Sequence, residues 1–139
     1  MKPIFADAGC WIALLHPREE HHARAQALSR DLGGRKIVTT EMVLAEFLNA
    51  MGGEGPELRR AAAEFVAAMR ANPGVEIAPQ TSRQFSGAFA FYHSHRDKDW
   101  GLTDCASFIV MRARRIKDAL AHDHHFAQAG FVALLRNGR

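Results

Sequence analysis

Two neighbouring runs decide the reading of this chain: Leu-Thr-Asp-Cys-Ala-Ser-Phe-Ile-Val-Met at 102–111 and Ala-Leu-Ala-His-Asp-His-His-Phe at 119–126. Each sets one carboxylate, Asp104 or Asp123, among residues that otherwise read as core. Cores rarely bury an acid unless it is paired or bound to a metal. The pair therefore points to half of a metal site, and acids far upstream have to complete it.

Upstream, Ile4-Phe5-Ala6 is an apolar run closed by Asp7, as in a buried strand ending on an acid. Lys36 to Val38 gives a second strand. Thr40 is then placed to cap a helix from Glu41 to about Met51, stopped by Gly52-Gly53. Glu46 lies within that helix, enclosed by Val43, Leu44, Ala45, Phe47 and Leu48, with Asn49 at i+3 on its face. Downstream, Thr103 is placed to cap a helix from Asp104 to about Arg114, and 116–121 reads as a strand ending on His122-Asp123.

The remaining segments fill the gaps. Gly9 to Leu15, Glu19 to Leu32 and Pro56 to Ala71 read as helices, and Val75 to Ala78 as a strand near a sheet edge. Thr81 to His93 reads as a helix whose Phe85, Ala88, Phe89 and Tyr92 form a core-facing stripe. Phe131 to Leu135 is a last strand before a polar tail. Strands alternating with helices predict an α/β fold, a parallel sheet with helices on both faces. In such sheets ligands gather beyond the carboxyl ends of the strands. Asp7 and Asp123 fall there directly, and helices can bring Glu46 and Asp104 to the same place.

At 139 residues and 15.4 kDa, a single domain over 1–139 is expected. The formal charge of +3 is compatible with RNA as partner without demanding it. Cys10 and Cys105 lack metal-type spacing and read as buried free thiols. No apolar span is long enough for a membrane, and the first acid comes too early for a signal peptide, so a cytoplasmic setting is expected.

Four carboxylates brought together repel one another, and a divalent cation with a preference for oxygen, Mg²⁺ or Mn²⁺, relieves this. The chemistry that fits is phosphodiester hydrolysis. The order Asp7, Glu46, Asp104, Asp123, with the two quoted runs around the last two, resembles the PIN-domain ribonucleases, and most of all the toxins of VapC-type toxin–antitoxin pairs. The likeness extends from Ile4 to about Leu135. It implies a PIN-like sheet in the order 3-2-1-4-5, a metal-dependent endoribonuclease acting on RNA, a cognate antitoxin and a homodimer. By that pattern Asp7, Glu46 and Asp104 match the three main metal-binding acids, Asp123 the more variable fourth, and Thr103 a hydroxyl beside the third. Ala8-Gly9 departs from it, since relatives commonly carry a hydroxyl residue there.

Other polar groups are weighed separately. Asp97 and Asp99 read as solvated loop charges, with a supporting role near the site as the alternative. His122, His124 and His125, even with His21-His22, lack structural-zinc spacing. Arg112, Arg114, Arg115 and Lys117 form the densest basic cluster, either an RNA contact or a solvated helix end. Two other readings stay open: a PIN-like domain that binds RNA or protein without cutting, and an aspartyl-nucleophile phosphatase using Asp7. The second is disfavoured by glycine at position 9, where an Asp-x-Asp motif needs its second acid.

Overall fold

A computed structural model describes residues 1–136, so the end of the expected polar tail, 137–139, lies outside the described residues. Twelve elements follow in chain order. They are β1 (Ile4–Ala6), α1 (Ala8–Leu15), α2 (His22–Arg30), β2 (Ile37–Thr40), α3 (Glu41–Gly52), α4 (Pro56–Ala71), β3 (Val75–Ala78), α5 (Ser82–Ser94), α6 (Leu102–Arg114), β4 (Asp118–Leu120), α7 (His124–Gln128) and β5 (Val132–Ala133). The five strands form one parallel sheet in the order β3-β2-β1-β4-β5, as the resemblance implies.

The sheet is built outward from β1. Ile4, Phe5 and Ala6 have no exposed surface, so the strand is buried on both faces and helices must cover both. Around it α1 packs on α2, α3 and α4, while α6 packs on α5 and α7. Trp11, Phe47 and Phe65 meet edge to face or tilted, with centroids 5.8–6.3 Å apart. A second aromatic group centres on Phe108, which meets Trp100 at 5.1 Å and Phe126 at 5.0 Å.

Register brings the strand ends level. Phe5 pairs with Ala119 and Ala6 with Leu120, and the Asp7 N–H donates to Leu120 O at 3.1 Å. On the other side buried Thr39 donates its hydroxyl to Ala6 O at 3.0 Å. Thr40 accepts from the Val43 N–H at 3.0 Å and so starts α3 directly from β2.

Four expectations are corrected. The helix expected from Glu19 begins at His22, because Pro17 opens a series of turns, Glu19 N–H to His16 O and His22 N–H to Glu19 O. The expected strands 116–121 and 131–135 shrink to three and two residues. Thr103 is not a cap: α6 starts two residues earlier, with Gly101 at the N-cap and its N–H donating to Asp104 Oδ2 at 3.1 Å. The aromatic stripe of α5 is not core. Ala88 and Phe91 turn inward, and Phe85, Phe89 and Tyr92, about a quarter-turn round, are 44–57% exposed.

Candidate metal centre

Three of the four acids are positioned by the end of an element. Asp7 directly follows β1 and opens α1. Asp104 sits in the first turn of α6, tied back to Gly101. Asp123 caps α7, accepting from the His125 N–H at 3.0 Å. Glu46 extends from the middle of α3. Its apolar neighbours Val43, Leu44 and Phe47 turn inward and leave it on the outer face with Ala45 and Asn49, so it is exposed rather than enclosed as the sequence suggested.

The other three carboxyl groups act electrostatically on Asp7. That residue is 8% exposed, and its Oδ1 is buried without a hydrogen-bond partner. Burial, and then the carboxylates of Asp104, Glu46 and Asp123, push its pKa well above the usual carboxylate range, against only the Ala8 N–H. Glu46 is raised by the partial burial of its carboxyl, although the residue as a whole is exposed, and by Asp104 and Asp123. Asp104 is raised by burial and by Asp123, with the Gly101 N–H and His125 opposing. Such a pocket is short of positive charge. Oxygen donors around an orphaned carboxylate suit a hard divalent cation.

Thr103 and Asn49 line a cavity of about 330 Å³ beside Glu46, with Met42, Ala45 and Gln80. A second cavity, about 430 Å³, is lined by Tyr92, His93, His95, Arg96, Lys98, Asp99, Trp100 and Cys105. The basic cluster is elsewhere. Arg114 pairs with Glu76, Arg112 covers the Phe91 ring at 5.1 Å, and Arg115 ends α6 in a left-handed conformation. Asp104 and Arg114 are ten residues apart on one helix, about 15 Å.

The histidines divide. His22 is held by Ala13 O at 2.6 Å, and His21 stacks on His122 with centroids 4.7 Å apart. His122 fills the space over Gly9, where an added Cβ would lie 2.7 Å from its Nε2. His124 is exposed. His125, which sequence reasoning left without a role, enters the acid pocket: its Nδ1 is 3.2 Å from Asp104 Oδ2 and 3.7 Å from Asp123 Oδ2.

A parallel 3-2-1-4-5 sheet with acids from four segments meeting at its carboxyl edge defines a class, the PIN fold with its acidic pocket. The PIN-domain family matches residues 4–132, and the chain belongs to that family. Among curated proteins it is similar to the 23S rRNA-specific endonuclease VapC20 of Mycobacterium tuberculosis, 30% identical over 132 residues, 93% of this chain and 95% of the relative. The crystal structure of that organism's VapC20, described as a Sarcin-Ricin loop cleaving toxin, superposes with a TM-score of 0.83 at 29% identity. It covers 93% of this chain and 96% of that one.

Proposed function

We propose that the chain is a metal-dependent endoribonuclease, the toxin of a toxin–antitoxin pair, hydrolysing RNA phosphodiesters at a centre held by Asp7, Glu46, Asp104 and Asp123. The observation that carries this is the orphaned, buried Asp7 oxygen with three further carboxylates raising its pKa. Mg²⁺ or Mn²⁺ bound there would polarise a phosphate and render a water nucleophilic near neutral pH. The chain's own part is to hold four acids at the strand ends before substrate arrives. Asp7 is fixed by its backbone bond to β4, and Asp104 by its bond to Gly101. Thr103 and Asn49 face the same cavity as Glu46 and are suited to orient the phosphate.

RNA as substrate is supported by the relatives and by the 430 Å³ cavity, where Arg96 and Lys98 offer phosphate contacts and Tyr92 a half-open ring for base stacking. By likeness to VapC20, 23S rRNA is the target to try first. A homodimer is supported by Phe85 and Phe89, two exposed aromatic rings at i and i+4 on α5. A cognate antitoxin and a cytoplasmic setting follow from the same family reading; among the described residues no helix is long and apolar enough to cross a membrane.

The test is cleavage of purified ribosomes with Mg²⁺ or Mn²⁺, mapping the new RNA ends. Wild type should cut and Asp104→Asn should not, with both chains folded. Equal cleavage by the variant would refute the site, and no cleavage by wild type with either ion the function.

A further inference from the structure

His125 is not explained by four carboxylates around one oxygen-bound ion. Both of its ring nitrogens are buried, and neither makes a hydrogen bond of acceptable geometry. Buried polar atoms are almost always partnered, so two orphans on one ring require a cause. Carboxylates crowd the ring on both sides. Nε2 lies 3.2 Å from Asp99 Oδ1, and Nδ1 faces Asp104 Oδ2 at 3.2 Å and Asp123 Oδ2 at 3.7 Å.

The Nδ1 side has the dimensions of a coordination shell. Asp104, Asp123 and His125 each offer one ligand atom, all within 4.8 Å of one another. Two donors at right angles on an ion with bonds of about 2.1 Å lie about 3.0 Å apart, close to the separations found here. Asp7, buried and with one unpartnered oxygen, opens α1 at the end of β1, the strand that pairs with the one preceding Asp123. On the Nε2 side Asp99 Oδ1 lies 3.2 Å away, the place where a metal-bound histidine usually has a carboxylate to fix its tautomer and orientation. Asp99 is 74% exposed on its loop, and this contact to His125 gives it a task that a solvated loop charge would lack.

We propose that His125 Nδ1 is a ligand of the divalent ion held by Asp104 and Asp123, that Asp99 is the positioning residue behind it, and that this nitrogen makes the site select a first-row transition ion over Mg²⁺. Mg²⁺ keeps oxygen ligands and its own water, whereas imidazole suits transition ions. The inference rests on the metal-centre reading above.

The experiment is calorimetric titration of the full chain with MnCl₂, CoCl₂ and MgCl₂, joined to pulsed electron paramagnetic resonance of the Mn²⁺ form. Wild type should bind Mn²⁺ and Co²⁺ at least about tenfold tighter than Mg²⁺ and show nitrogen hyperfine coupling on Mn²⁺. His125→Ala should lose about 10–100-fold for Mn²⁺ and Co²⁺, lose the coupling, and bind Mg²⁺ nearly as before. Asp99→Asn should weaken Mn²⁺ by about tenfold while keeping the coupling. Absence of nitrogen coupling in wild type, or equal losses for Mn²⁺ and Mg²⁺ in His125→Ala, overturns the inference and leaves the acid centre standing. If wild type binds none of the three ions, the metal-centre reading falls and this one with it. Circular dichroism and melting of both variants keep misfolding apart from lost ligation.

Discussion

Replacing Asp7 by Asn keeps the shape of the side chain and removes its charge. In the folded chain that charge sits in an 8%-exposed residue, with one oxygen unpartnered and three carboxylates facing it. In the unfolded chain the same carboxyl titrates near its ordinary value. Between that value and the raised folded-state pKa, the folded protein holds more protons than the unfolded one, so stability falls as pH rises through the window. Below the ordinary value both states are protonated and the penalty vanishes; above the folded-state pKa it is complete. Asn has no such slope, and relieving a strained site charge typically gains about 1–2 kcal/mol. An unfolding entropy of roughly 2.1 cal/mol/K per residue gives about 0.29 kcal/mol/K for 139 residues. Metal-free Asp7→Asn should therefore melt about 3–7 °C above wild type near neutral pH, and the gap should close on acidification. With Mn²⁺ at about 100 times its Kd, wild type should gain about 2.7 kcal/mol, or about 9 °C, and the variant far less. The order of the two melting curves reverses between chelator and metal. Calorimetry at several pH values is the assay. A variant no more stable than wild type in chelator, or one that gains as much from metal, refutes the reasoning.

Three further outcomes are expected. Thr40→Ala removes a buried cap on α3 and should cost about 1–2 kcal/mol by denaturant titration; a loss under about 0.3 kcal/mol would show that the Val43 bond contributes little. The Cys10 thiol is pushed up to about 12 by burial and by Asp7, so a thiol reagent near pH 8 should label it only on unfolding, and rapid labelling of the native chain would contradict this. Gly9→Ala should displace the His122 ring, seen as a changed imidazole resonance at a cost below about 1 kcal/mol, whereas an unchanged resonance would mean that the ring does not occupy that space.

Much of the architecture was legible because β1 is unambiguous. Three apolar residues ended by an acid read as a buried strand, and the alternation of helices around it pointed to a parallel sheet, whose strand order came only with the family resemblance. Other readings failed for local reasons. Glu46 was singled out for apolar neighbours, yet on α3 those neighbours turn away from it, since adjacency in sequence is not adjacency on a helix. Phe85, Phe89 and Tyr92 look like a core stripe, but α5 turns a less apolar face inward, with Ala88 and Phe91 doing the packing. Nothing in the periodicity says which face meets water. His125 was hidden among like neighbours. In the fold its ring, and not that of exposed His124, enters the pocket.

The sheet order carries a consequence for the chain as it is made. β1 emerges first but ends in the middle, and one flank, β4 with β5, is last to be synthesised. Asp7 and Asp104 are separated by 97 residues, about 5–20 s of synthesis at usual elongation rates. Throughout that interval the acids have no common pocket, and β1 has only one of its two partners. A truncated or stalled product ending before α6 is therefore a chain without a centre, and the order of translation itself withholds the assembled pocket until α6 and the start of α7 have followed.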